Sequence, residues 1–278
     1  MPDFIKSYNN ENKAVVDATS ECLSISYFNL ITLKAGETHE IYMKDYESVW
    51  VVMSGNCSIL VDGKSFEGIG KRKDIWSGQA ESVYVPIQSN VKVTANTDVE
   101  IAVGGGKCED KYEPFFIGQE DVQMVDVGSS ETKSHRQIFH ILGQHQKDRC
   151  GRLLISELWA EEGCWSGYPP HKHDTDTLPE ETDFEEIYHY RFNPENGFGG
   201  QYLMLKDGTE KCFVSRNGDT FAFEQGYHPT STSPGHKGYI FTILVGRTEK
   251  SLIQNFKEEH RYLMDKIPGI SDMRAMFK

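Results

Sequence analysis

Most of this chain is written as short runs of alternating apolar and polar residues closed by Gly, Asp or Asn, and no other feature restricts its possible folds as strongly. Leu23 to Thr32, Ser48 to Met53, Cys57 to Val61, Val91 to Ala95 and Glu100 to Val103 each have the length and period of a strand with one buried face. Ser54-Gly55-Asn56, Asp62-Gly63-Lys64, Asp207-Gly208 and Asn217-Gly218-Asp219 lie between such runs and supply the residues that tight turns require. Many short strands and few helical periods predict an all-β protein of the barrel or sandwich type. The clearest helical spacing is Leu252, Ile253, Phe256, Leu263 and Ile267 ahead of Pro268, which predicts a helix over 249–267.

A weak repeat divides the chain. The run Glu47-Ser48-Val49-Trp50-Val51-Val52-Met53 matches Glu186-Ile187-Tyr188-His189-Tyr190-Arg191-Phe192. Each is preceded by a His-bearing segment and followed by a Gly turn and a Pro or Gly corner. Two stacked barrels are expected, an N-terminal one over 1–140 and a C-terminal one over 141–278. The first half offers only His39 and Glu47 as ligands, too few to close a divalent-ion site, so it is read as structural and metal-free.

The formal net charge of −13 repels nucleic acid phosphates and anionic membranes, and no dense Lys/Arg cluster reverses this locally. Met1 to Tyr8 lacks a signal-peptide pattern and no apolar run is long enough to span a membrane, so a cytoplasmic protein is expected. The six cysteines stand singly, which predicts reduced packing residues and not a thiolate cluster or disulfide framework. Gly104-Gly105-Gly106 has no helix after it and is not read as a phosphate loop. His135, His140 and His145, spaced by five, fit neither strand nor helix periodicity and are treated as incidental.

Chemistry concentrates in Tyr168-Pro169-Pro170-His171-Lys172-His173-Asp174. In an extended segment His171 and His173 project to one side and Lys172 to the other, which makes half of a metal site. Two adjacent carboxylates, Glu185 and Glu186, compete for a third position. Alternation groups Glu186 with Tyr188 and Tyr190, the face better suited to a polar sugar-sized pocket, so Glu186 is preferred. His228, at the Gly226-Tyr227-His228-Pro229 corner, completes a set of three imidazoles and one carboxylate suited to zinc, iron, manganese or nickel.

These pieces carry a family resemblance that extends over nearly the whole chain. Gly70-Lys71-Arg72-Lys73-Asp74-Ile75-Trp76, Tyr84-Val85-Pro86, Arg136-Gln137-Ile138-Phe139-His140, Trp165 to Thr177, Leu178-Pro179-Glu180-Glu181, Glu185-Glu186-Ile187-Tyr188, Asn217-Gly218-Asp219 and Gly226-Tyr227-His228-Pro229 occur in order. Together they resemble the bicupin family of 5-deoxy-glucuronate isomerases of bacterial inositol catabolism, relatives of 5-keto-4-deoxyuronate isomerase. The chain departs from that pattern at Gln201-Tyr202, at His236 and at Tyr239-Ile240-Phe241-Thr242.

The resemblance implies two tandem cupin-type jelly rolls and one divalent ion, zinc first, with manganese, iron or nickel as alternatives. It also implies a sugar-acid substrate interconverted between aldose and ketose through an enediol. Asp174, Tyr188 and Tyr190 are the candidates for proton transfer, and Gln201 and Tyr239 for substrate binding. A 5-keto-4-deoxyuronate isomerase-like activity, a metal-dependent cupin oxygenase and a non-catalytic sugar-acid binder are the competing readings, and exposed barrel edges leave a homo-oligomer open.

Overall fold

The structure, a computed structural model, describes residues 2–277. It is all-β, with two cupin-type barrels in tandem, each made of a large and a small antiparallel sheet. The N-terminal barrel has a six-stranded sheet in the order Phe115–Ile117, Ser82–Val85, Tyr46–Ser54, Val99–Lys107, Ser26–Leu33, Ala14–Val16. It faces a four-stranded sheet of Thr38–Met43, Ser89–Ala95, Cys57–Val61 and Lys64–Ile69. In the C-terminal barrel the large sheet has seven strands: Asp3–Ile5, Thr220–Phe223, Phe184–Asn193, Lys237–Gly246, Leu153–Ala160, Arg136–Leu142 and Gln123–Val127. Its four-stranded partner runs Trp165–Ser166, Thr230–Thr232, Phe198–Met204, Glu210–Arg216.

The turn chemistry does what the sequence asks of it. Asp62 and Gly63 both have positive φ, 46° and 90°, as a two-residue hairpin of the sense matching strand twist requires. All six cysteines are free, and only Cys212 is exposed. Among the described residues no helix is long and apolar enough to cross a membrane.

Two expectations are displaced. Residue 140 falls inside the strand Arg136–Leu142, and this strand and Gln123–Val127 both belong to the C-terminal sheet, so the chain changes barrel between 117 and 123. The first strand, Asp3–Ile5, also pairs with Thr220–Phe223 and laces the N-terminus onto the second barrel. Over 249–267 the chain forms a short strand, Asn255–Phe256, and a 3-10 turn, Glu258–Leu263, and the helix comes only after Pro268, at Ile270–Phe277. The physical reason is pairing: Asn255 and Phe256 bond to the strand His171–Lys172, while Leu252, Phe256 and Ile267 still bury their side chains.

Parity organises the core. In Tyr46–Ser54 the odd residues Val49, Val51 and Met53 join Ile155, Ile187, Phe241 and Ile243 in a cluster between the barrels, while Trp50 and Val52 fill the first barrel's interior. In Phe184–Asn193, Tyr188, Tyr190 and Phe192 fill the second barrel's interior. Glu47 therefore shares its face with Glu185, not Glu186, and the residue equivalent to Glu186 is Ser48. Each fully buried Val, Ile or Phe of these layers contributes roughly 1.5–3 kcal/mol. Close approach of the large sheets explains two of the consecutive glycines. A Cβ at Gly104 would lie 2.6 Å from Ile155 Cδ1, and one at Gly106 would lie 2.7 Å from Val245 Cγ1.

A polar bridge crosses the same layer. Arg72 from the first barrel forms a buried pair with Glu157 of the second, Nη1 to Oε2 at 2.9 Å and Nη2 to Oε1 at 2.5 Å. The hydroxyl of Tyr239 also donates to Glu157, at 2.7 Å.

Candidate metal centre

Three short elements bring the imidazoles together. His171 and His173 turn inward with ring centroids 6.3 Å apart, and His228, carried by its corner, packs edge-on at 4.9 Å from each. All three are buried, and their ligand nitrogens lie within 4.8 Å of one another. Lys172 points the other way, as alternation demands, and its ammonium meets Asp174 and Glu181 at 2.6 Å.

Each imidazole is fixed in one tautomer by a backbone carbonyl. His171 Nδ1 lies 3.1 Å from Pro169 O, His173 Nδ1 lies 3.1 Å from Phe184 O, and His228 Nδ1 lies 2.8 Å from Gly226 O. A carbonyl only accepts, so Nδ1 carries the proton and Nε2 presents its lone pair to the centre. Glu186 completes the set, with Oε2 at 2.9 Å from His173 Nε2 and 3.2 Å from His228 Nε2. Although it approaches Glu186, His228 Nε2 is buried without a well-aligned hydrogen bond.

Ring nitrogens and a carboxylate oxygen this close in a dry interior repel unless a cation stands among them, either a proton, as between His173 and Glu186, or a metal ion that displaces it. Burial, then the neighbouring His228 and His173, push His171 well below the ordinary histidine range. For His173 burial acts in the same sense, but the bond to Glu186 outweighs it and raises the ring. Burial would raise Glu186, yet His173 and His228 hold its carboxyl at about 2. Neutral imidazoles with an ionised carboxylate are the donors a borderline divalent ion takes, and the orphaned nitrogen of His228 fits that occupant.

The other expected residues divide. Tyr188 lines a cavity of about 60 Å³ beside the cluster, together with His171, Glu186, Arg136, Thr242 and Gln254. Its ring lies 6.1 Å from that of His228, and burial followed by the Glu186 charge pushes its hydroxyl well above the ordinary range. Asp174 is not at this cavity. Its Oδ1 pairs with Lys172 at 2.6 Å and Lys206 at 3.1 Å, and Oδ2 accepts from Gly226 N at 3.0 Å. The carboxylate thus staples the His171–His173 segment to the His228 corner. Burial opposes its ionisation, but Lys172 and the Gly226 N–H prevail and hold it well below the carboxylate range.

Tyr190 and Gln201 are committed to each other. The Tyr190 hydroxyl donates to Gln201 Oε1, and Gln201 Nε2 donates to the carbonyls of Tyr202 at 2.8 Å, His228 at 3.2 Å and Pro229 at 3.4 Å. They hold the His228 corner. Tyr239, bonded to Glu157, lies in the layer between barrels on the opposite side of its strand from the histidine cluster.

Two cavity residues escaped the sequence reading. Gln254 Nε2 donates to His171 Nε2 at 2.9 Å, and its Oε1 is buried without a partner. Nothing local marks it, because the strand that places it pairs with residues eighty positions earlier. Arg136 did have a signal, a cation opening a run whose Ile138 and His140 share its face.

Known proteins resemble this chain over most of its length. The model of the KduI/IolB family matches residues 4–263. Relatives include the 5-deoxy-glucuronate isomerase of Geobacillus kaustophilus (strain HTA426), 34% identical over 260 residues and covering 92% of each chain. That of Geobacillus thermodenitrificans (strain NG80-2) is 32% identical over 271 residues, covering 95% of this chain and 97% of the relative. Among solved structures, an iolB-like protein from Salmonella typhimurium LT2 has a TM-score of 0.88 at 28% identity, covering 94% of this chain and 99% of that one. The oxalate decarboxylase of Lactobacillus farciminis, at TM-score 0.63, 9% identity and coverage of 92% and 89%, shares the fold alone. With its matched length and its relatives' identity, the chain belongs to the KduI/IolB family.

Proposed function

We propose that this chain is a metal-dependent aldose–ketose isomerase converting 5-deoxy-glucuronate to 2-deoxy-5-keto-gluconate, a cytoplasmic step of inositol catabolism. The observation that carries the reading is the convergence of three carbonyl-anchored imidazoles and Glu186 beside a cavity that Tyr188 lines. The names of the relatives supply the substrate.

His171, His173, Glu186 and His228 would hold a divalent ion, zinc by our reading, which would supply a Lewis acid for the sugar carbonyl. The chain's own groups do the rest. Backbone carbonyls keep the three rings aimed, so the ligands need no reorganisation when substrate arrives. The Tyr188 hydroxyl, kept protonated by burial, donates a hydrogen bond to the oxygen on which negative charge develops. Gln254 offers its free acceptor to a substrate hydroxyl. Leu244 and Leu252 wall the cavity and keep water from the enediol.

The test is anaerobic incubation of metal-loaded protein with 5-deoxy-glucuronate in D2O, followed by NMR. An isomer of unchanged mass apart from exchanged carbon-bound hydrogen is expected. Dependence on dioxygen, or binding without any product, would contradict the reading in favour of an oxygenase or a binding protein respectively.

A further inference from the structure

Two arginines of this protein are deeply buried, and only one has a counterion among the described residues. Arg72, 3% exposed, is held bidentately by Glu157. Arg136, 2% exposed, pairs with no Asp or Glu among the described residues. Its Nη1 donates to Ser134 O at 2.8 Å and its Nη2 to Tyr168 O at 2.7 Å. A guanidinium has five N–H groups, so these carbonyls leave donors on both its terminal nitrogens and on Nε.

A buried charge without a counterion is costly, and an anion arriving beside it would relieve that cost. The surroundings show where. Arg136 begins the strand Arg136–Leu142, whose register sets it opposite Ala160, and it enters the cavity wall beside Ile138, Ser156 and Leu158. The same cavity contains His171, Glu186 and Tyr188. A guanidinium with donors to spare, lining a cavity that also reaches His171 and Glu186, matches an acid bearing a carboxylate at one end and oxygens for the ion at the other.

We infer that Arg136 binds the carboxylate of the substrate and makes the site select sugar acids over neutral sugars of the same length. The identity of the acid rests on the isomerase reading above, but the binding test does not require turnover. The purely architectural alternative is that Arg136 serves only to fix the Tyr168 carbonyl ahead of Pro169 and His171.

The experiment is calorimetric titration of the metal-loaded protein with L-gulonate and with glucitol, which differ only in carboxylate against hydroxymethyl. In a buffer free of other carboxylates, wild type should bind gulonate about 100-fold more tightly than glucitol. Arg136→Met should lose that preference while binding glucitol within about threefold of wild type and keeping its metal, and Arg136→Lys should recover about tenfold of it. Equal loss for both ligands, or loss of metal, would assign Arg136 the architectural role and overturn the proposal, as would wild type failing to discriminate. Should Arg136→Met fail to fold by circular dichroism, the same comparison in Arg136→Lys decides, since a positioning role tolerates neither a shift in acid preference alone nor its absence in wild type. Because gulonate has no carbonyl to isomerise, a chain that binds it through Arg136 yet turns over no uronate would leave this inference standing and fail the isomerase reading alone.

Discussion

The two barrels use one scaffold for opposite purposes, and adjacent residues mark the difference. Tyr46–Ser54 and Phe184–Asn193 hold corresponding places in their large sheets, and each carries a carboxylate aimed at the layer between barrels. Glu47 accepts from the N–H groups of Gly151 at 2.7 Å and Leu153 at 3.2 Å, both in the second barrel. Glu185 accepts from the N–H groups of Ser24 at 2.8 Å and of Ile25 and Ser26 at 3.1 Å, all in the first. The exchange locks the barrels together. One residue further along, facing the interior, stands Ser48 in the first barrel and Glu186 in the second. Around Ser48 the interior is Trp50, Val52, Ile59 and Val93, with His39 the nearest thing to a ligand and its Nε2 unpartnered. Around Glu186 it is three imidazoles. Chemistry here is a property of a few inward positions, not of the barrel.

Breaking the inward position should have the largest consequence. Glu186→Gln or His228→Ala should strip the metal and lower turnover by about 1000-fold while the β-rich circular dichroism spectrum persists. Metal content by elemental analysis and product by NMR check this, and an active, metal-retaining Glu186→Gln would transfer the role to a neighbour. The outward twin should behave in the reverse way. Glu185→Ala leaves the N–H groups of Ser24, Ile25 and Ser26 without their acceptor and removes one of the three carboxylates that pair with Arg247, and should destabilise the protein by about 3 kcal/mol in urea while metal per folded chain is unchanged.

Within the second barrel, Tyr188 and Tyr190 face the same way but have different duties. Tyr188→Phe should lower kcat by roughly 10–100-fold with metal kept, since it removes one donor to developing charge. Tyr190→Phe, which removes the bond to Gln201 and the interaction with Thr230, should act more weakly and through metal affinity. Equal kcat losses would erase the distinction.

The remaining effect concerns pH, and it falls on stability and not on turnover. Burial, reinforced by His145, lowers His140 to about 4. The unfolded chain takes up this proton near the ordinary histidine value of about 6.5, so the stability involved is full above that pH. It declines as pH falls and has been lost below about 4, a total on the order of 3 kcal/mol. His140→Gln should flatten the urea midpoint between pH 7 and 4, and an unchanged slope would assign the acid sensitivity elsewhere.

Much of this was legible in the chain. Strand period and turn residues sufficed for the all-β class, because side-chain alternation is a local property. The same alternation separated Glu186 from Glu185, since no bulge interrupts Phe184–Asn193. It failed where the repeat was matched by residue type, pairing Glu47 with Glu186 although faces pair it with Glu185. The duties of Asp174, Gln201 and Tyr239 were not legible, because each depends on a partner brought close by the fold: Lys206 and Gly226, the His228 corner, and Glu157. The 249–267 segment misled for the same reason. Its apolar spacing is helical, but its backbone is claimed by His171–Lys172.

Dialysis of the purified protein against a chelator, followed by assay with 5-deoxy-glucuronate before and after restoring a divalent ion, puts the metal centre to its most direct trial. Turnover should vanish with the metal and return as one ion per chain is taken up, in wild type but not in His228→Ala. Full turnover by protein shown to be free of metal would contradict the role given to His171, His173, Glu186 and His228.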